Sequence, residues 1–309
     1  MEHSARLDVA LAPNKPSRLP LQNPVMPASG TFGYGTEYGD LVDIRRLGAV
    51  VTKGVTLLPW EGNPQPRIWE TAAGVLNSVG LENIGVEAVV RDKAPLWATW
   101  DVPVIVNVAG HSIEEYAEVA NMLDMVDGVA GLEVNISCPN VAHGGLEFGT
   151  TPETASRVTA AVRSATALPL VVKLSPNVSD VVSIALAVVA AGADAVCLIN
   201  TLRGMAIDVD TGRSRLGTPS GGLSGPAIKP VALHMVHSVA HAVDVPVVGC
   251  GGISTAEDAV EFIMAGATAV QVGTATFTDA SSMLDIIDGI AAFMEQHGLT
   301  SLDELRRVV

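Results

Sequence analysis

The stretch Leu132-Glu133-Val134-Asn135-Ile136-Ser137-Cys138-Pro139-Asn140 begins as an apolar strand pattern and ends in a cluster of polar groups led by one cysteine. Pro139 has no amide hydrogen to give a sheet ladder, so the strand stops there. Asn135 and Asn140 offer paired amide donors and acceptors, and Gly144 and Gly145 follow in a loop able to fold over a ligand. A thiol in that setting can act as a base, whereas a lone cysteine is more often a small buried hydrophobe. Which of the two it is depends on what else the chain brings to the same place.

Similar β-branched runs recur at Pro24 to Ala28, Ala49 to Lys53, Val104 to Val108, Leu170 to Leu174, Ala195 to Asn200, Val245 to Cys250 and Ala269 to Gly273. Each ends in small or polar residues and each is followed by a helical pattern, the signature of strand–helix units and a parallel sheet. Eight runs imply a closed (β/α)8 TIM barrel. Helices are expected within Ser112 to Met125, Pro152 to Ala165, Ser179 to Ala190, Pro226 to Ala242, Thr255 to Ala265 and Ser281 to Gln296. Ser112 with Glu115 and Thr255 with Asp258 have capping-box spacing. Leu7 to Leu21 reads as an N-terminal hairpin, and the long connections Gly54 to Val102 and Thr201 to Pro226 read as insertions at the C-terminal face of the barrel. With no interdomain linker or low-complexity segment, residues 1–309 are expected to form one domain.

Hydrophobic residues make up 48% of the chain and aromatic ones 4%, so a large core must be built from Val, Ala, Leu and Ile. The net charge of -15 argues against nucleic acid and against anionic membrane surfaces. The first residues lack a secretory signal pattern, and the most apolar candidate span, Val181 to Ala193, is too short to cross a bilayer. Cys138, Cys197 and Cys250 are far apart, so no disulfide framework, metal or cluster site is expected on this chain. A reducing cytoplasmic setting follows.

A barrel makes the last residues of its strands converge. Those residues are Ala28-Ser29-Gly30, Lys53-Gly54, Asn107, Asn135 with Cys138, Lys173, Asn200-Thr201, Gly251-Gly252 and Gly273-Thr274. One lysine ending a strand is ordinarily a snorkelling surface residue; two beside several asparagines suit an anion and the edge of a planar heterocycle. The Gly-rich ends of the last two strands, with Gly221-Gly222-Leu223-Ser224-Gly225-Pro226, let backbone amides approach a phosphate. The ligand expected is a phosphorylated cofactor or substrate.

Over nearly the whole chain these motifs resemble the class 1 dihydroorotate dehydrogenases. The resemblance rests on Pro27-Ala28-Ser29-Gly30-Thr31, Thr52-Lys53-Gly54-Val55-Thr56, Asn77-Ser78-Val79-Gly80-Leu81, Asn135 to Asn140, Asn200-Thr201, Gly221 to Pro226 and the two Gly-rich ends. It implies FMN-dependent oxidation of dihydroorotate to orotate in pyrimidine synthesis. Cys138 would be the base, while hydride passes to the flavin. Lys53 would clamp the substrate carboxylate next to the flavin, and Asn77, Asn135, Asn200, Thr201 and the backbone of Ser78, Val79, Gly80 and Leu81 would hold the substrate. Lys173 would stabilise the reduced flavin. Ser29, Gly54, Asn107, Asn135, Ile199 and Gly225 would line the cofactor, and Gly251, Gly252, Gly273 and Thr274 would receive its phosphate. The segment Pro139 to Thr150 would close over the substrate, with Gly144, Gly145 and Gly149 as hinges; His143 reads as a solvated loop residue.

Thr-Lys-Gly-Val-Thr and Cys-Pro-Asn-Val followed by Gly-Gly are similar to the class 1B catalytic subunit. That implies a partner subunit carrying FAD and a [2Fe-2S] cluster, electrons passed to NAD, and a homodimer within a heterotetramer. Two alternatives stand beside it: a class 1A-like enzyme reducing fumarate without a partner, and a flavin-free barrel lyase or isomerase acting on a phosphorylated substrate.

Overall fold

The computed structural model describes residues 5–137 and 148–306. Every expected run contains a strand: β1 (Val25–Pro27), β2 (Val50–Val51), β3 (Val104–Val108), β4 (Gly131–Asn135), β5 (Leu170–Lys173), β6 (Ala195–Leu198), β7 (Val247–Cys250) and β8 (Ala269–Val272). Each from β2 to β8 pairs in parallel with the next, and β8 pairs with β1. The Gly48 amide donates to the Val25 carbonyl at 2.9 Å, drawing the β1 and β2 edges together. The result is a (β/α)8 TIM barrel.

Alternation along the strands sorts their side chains into two cores. One set, including Val50, Val104, Val106, Leu132, Val134, Leu170, Val172 and Val270, faces outward and packs with the helices. The other is inside the barrel and consists of small or slender residues: Ala49, Val51, Ile105, Val171, Ala195, Cys197, Val248, Cys250 and Ala269. Leu11, Leu19 and Leu21 pack into this inner set. They come from the expected hairpin, whose strands Val9–Ala10 and Pro20–Leu21 pair antiparallel. The hairpin therefore plugs the amino end of the barrel, and the alternation that leaves room for it carries Asn107, Glu133, Asn135, Lys173 and Gln271 to the inner face, all buried.

The helices Ile113–Leu123, Pro152–Ala165, Val181–Ala190, Lys229–Ala240, Ala256–Met264 and Ser282–Gln296 occupy the expected stretches. Thr255 and Asp258 make the complete capping box. At the other predicted box Ser112 accepts from the Glu115 amide, but Glu115 reaches one residue further back, accepting from the His111 amide at 2.6 Å. Two units depart from the regular pattern. The connection from β1 to β2 holds only the 3₁₀ turn Ile44–Arg46, and the one from β2 to β3 is helical over Val86–Ala88, Val89–Lys93 and Ala94–Trp97, the middle piece in π geometry. Pro95 has no amide hydrogen for an i−4 carbonyl, which disfavours a regular α turn there.

The two long insertions pair with each other. Leu202–Gly204, Gly221–Ser224, Gly74–Asn77 and Ile68–Thr71 form, in that order, a four-stranded antiparallel sheet. Gly221-Gly222, read in sequence as part of a phosphate loop, is thus a strand. A Cβ on Gly221 would come within 2.5 Å of the Asn77 carbonyl oxygen, and one on Gly222 would collide with the Thr201 hydroxyl, so glycine permits the close pairing. Among the described residues no helix is long and apolar enough to cross a membrane.

Candidate active site

A cavity of about 450 Å³ opens at the carboxyl ends of the barrel strands, walled on one side by the four-stranded sheet. Its size suits a cofactor with a small substrate. Ser29, Lys53, Gly54, Asn107, Asn135, Lys173, Ile199, Asn200, Thr201, Gly251, Gly252, Gly273 and Thr274 reach it from the strand ends, and Asn77, Val79, Gly80, Leu81 and Gly225 from the insertions. Ser78 does not line it. That residue is buried, and its hydroxyl accepts from Asn63 Nδ2 at 3.0 Å and Thr218 Oγ1 at 2.6 Å, which ties the insertions together. Cys138, Asn140, His143, Gly144 and Gly145 lie outside the described residues, as does most of the expected closing segment.

At the inner end of the cavity, Asn107 Nδ2 donates to Glu133 Oε1 at 2.6 Å and Gln271 Nε2 donates to Glu133 Oε2 at 2.5 Å. Lys173 Nζ donates to Gln271 Oε1 at 2.9 Å and lies 3.6 Å from Glu133 Oε1. Burial alone would lower the Lys173 pKa, but the Glu133 carboxylate outweighs it, and the ammonium is held charged with its pKa raised above the usual lysine value. Asn107 Oδ1 is buried without a hydrogen-bond partner. A buried acceptor left unpaired in a residue of the cavity wall fits a ligand that donates to it. Cys197 and Cys250 lie in the same interior, and burial pushes both thiols up, which keeps them protonated. Both behave as core residues, although Cys250 also touches the cavity.

Asn135, Ser137 and Asn200 form a second cluster. Asn200 Nδ2 donates to Ser137 Oγ at 2.8 Å and to Asn135 Oδ1 at 3.3 Å, while the Thr201 amide donates to Asn200 Oδ1 at 2.8 Å. Asn177, unnoticed in the sequence, donates to the Thr201 carbonyl at 3.0 Å and fixes the start of the second insertion. Tyr116 Oη donates to the Asn135 carbonyl at 2.8 Å, so the residues ahead of Cys138 are held from two sides.

At the far end Gly251 and Gly252 have φ of +128° and +79°. A Cβ on Gly252 would sit 2.7 Å from the Lys229 backbone nitrogen. Thr274 Oγ1 donates to Ser224 Oγ at 2.8 Å, joining the last strand end to the second insertion. Leu81 lines the cavity with φ of +60°, a left-handed conformation costly for leucine and characteristic of functional loops. Tyr38, Ile68 and Phe277 also line the cavity. They sit at the end of no barrel strand, so the convergence rule could not find them.

The family model for dihydroorotate dehydrogenase matches residues 14–294. The chain belongs to the dihydroorotate dehydrogenase family. Within it, the chain is 56% identical over 285 residues to a Geotalea uraniireducens protein named dihydroorotate dehydrogenase B (NAD(+)), catalytic subunit, covering 92% of this chain and 93% of that one. Proteins of the same name from Pelobacter propionicus and Alkaliphilus metalliredigens are 57% and 56% identical, each match covering 93% of this chain and 94% of the relative. The match to dihydroorotate dehydrogenase spans all eight barrel strands and both insertions, so the cavity belongs to the shared part of the fold.

Proposed function

We propose that this chain is the catalytic subunit of an NAD-linked dihydroorotate dehydrogenase, that its cavity holds FMN, and that Cys138 is the base. One observation carries the cofactor assignment: Asn107, whose Oδ1 is a buried acceptor without a protein partner, and Lys173, whose ammonium is buried, both line the cavity. That pair fits a planar heterocycle with a donor on its edge that gains negative charge on reduction. Gly251, Gly252, Gly273 and Thr274 would take the phosphate, because backbone amides without Cβ atoms can close on it. Flavin bound here would supply the hydride acceptor.

Lys53 would bind the substrate carboxylate, and Asn77, Asn135, Asn200 and Thr201 would orient the pyrimidine ring; all five line the cavity. The proton leaving the carbon beside the substrate carbonyl would pass to the Cys138 thiolate. A free thiol titrates near ~8.5, so a modest downward shift gives a useful thiolate population at neutral pH. The closely similar relatives are named as NAD-dependent catalytic subunits. That naming supports a separate subunit and NAD as acceptor over fumarate reduction; the proposed partner is an electron-transfer subunit carrying FAD and a [2Fe-2S] cluster, in a heterotetramer built on a homodimer of this chain.

The deciding experiment mixes the purified chain anaerobically with dihydroorotate, follows the visible flavin band, and then offers fumarate or NAD with and without the partner subunit. Bleaching followed by reoxidation only with NAD and partner is expected. Rapid recovery with fumarate alone identifies the partner-free enzyme. A colourless protein removes the flavin from the reading.

A further inference from the structure

Beneath the cavity, four strands contribute one polar side chain each to a single buried network: Asn107 from β3, Glu133 from β4, Lys173 from β5 and Gln271 from β8. Glu133 is 1% exposed and is the hub. An ionised carboxylate only accepts hydrogen bonds, so both amides must turn their NH₂ groups toward it. The consequences differ for the two amides. Asn107, a residue of the cavity wall, is left with its Oδ1 buried and unpartnered in the protein. Gln271 is left with Oε1 toward Lys173 Nζ, which it receives at 2.9 Å. One carboxylate therefore fixes the orientation of the Asn107 amide, and it also fixes the direction of the ammonium and balances its charge.

Resting on the reading that the cavity holds a flavin, we propose that Glu133, acting through Gln271, Asn107 and Lys173, is a positioning residue that sets the reduction potential of that flavin. With Glu133 and Lys173 both ionised, the net charge of the network is zero. In a dry interior a change of one unit beneath a group that becomes negative on reduction is felt strongly. Glu133→Gln leaves Lys173 uncompensated, and its new NH₂ competes with those of Asn107 and Gln271. Glu133→Asp keeps the charge, and Gln271→Leu removes the bridge to Lys173 while leaving both charges in place.

The test uses the full chain purified with bound FMN, its potential measured by equilibrium reduction against reference dyes. Glu133→Gln should shift the potential to more positive values, Gln271→Leu should shift it by less because both charges remain, and Glu133→Asp should return it toward that of the unaltered protein. A residue serving packing alone would change thermal stability and FMN retention without moving the potential. A potential unmoved or made more negative by Glu133→Gln, or one that Glu133→Asp does not restore, overturns the proposal. If Glu133→Gln does not fold, Gln271→Leu decides alone, a shifted potential supporting it and an unmoved one overturning it. An unaltered chain that holds no flavin overturns the functional reading and this inference together; a yellow chain with unmoved potentials overturns the inference alone.

Discussion

Alternation along a strand brings Asn107, Asn135 and Lys173 to the inner face of the barrel, and each could be read from its place near the end of an apolar run. Glu133 could not be read in the same way. It sits in mid-strand among apolar residues, and its role exists only because Asn107, Lys173 and Gln271 arrive from three other strands. Ser78, whose backbone was expected at the substrate, does not line the cavity: its amide donates to the Arg67 carbonyl at 2.7 Å and its hydroxyl joins the insertions. For Cys138 the expectations are kinetic. Cys138→Ala should keep the yellow colour and orotate affinity, and lose roughly 10²- to 10⁴-fold in flavin reduction by dihydroorotate in stopped flow. Cys138→Ser should be slow and gain rate toward alkaline pH. Fast reduction at neutral pH by the alanine variant would remove Cys138 from the mechanism.

The Thr255–Asp258 box shows what a short sequence signal can hold. Thr255 Oγ1 accepts from the Asp258 amide at 3.1 Å, and Asp258 Oδ2 accepts from the Ser254 and Thr255 amides at 2.8 and 3.0 Å. Thr255→Ala should cost about 1 kcal/mol, measured by thermal or urea unfolding. Lys229 Nζ also donates to Asp258 Oδ1 at 2.7 Å. Burial would raise the Asp258 pKa, but Lys229 and the two amides outweigh it and hold the carboxyl below its usual value. A depressed folded-state pKa gives stability that is present above the unfolded value near ~3.9 and is lost as pH falls through the folded value. Asp258→Asn should therefore be less stable at neutral pH and show a shallower acid limb, whereas an unchanged limb would show that the pairing contributes nothing. The helical pieces between Val86 and Trp97 had no such signal, because Pro95 and a π turn break the 3.6-residue period on which the reading depended.

Across the whole molecule, the barrel was legible because each strand–helix unit repeats one local pattern, and the plug was legible only as a hairpin. Its destination depends on the small residues inside β2, β6 and β8, whose joint effect appears once the barrel closes. Leu11 is 1% exposed among them. Leu11→Ala should cost about 2 to 5 kcal/mol by leaving a cavity where collapse is limited. Urea unfolding would measure it, and a loss under about 0.5 kcal/mol, the range of ordinary surface substitutions, would place the hairpin outside the folding core.

The sheet over the cavity unites chain segments that are distant in sequence, Asn77 and Gly222 being paired across 145 positions. Neither segment can drift alone, since a changed register or an added Cβ on one strand disturbs the partner that supplies the other half of the wall. The two insertions should be inherited as a unit. A chimera that exchanges only one of them with a distant relative should lose ligand affinity, and exchanging both together should restore it.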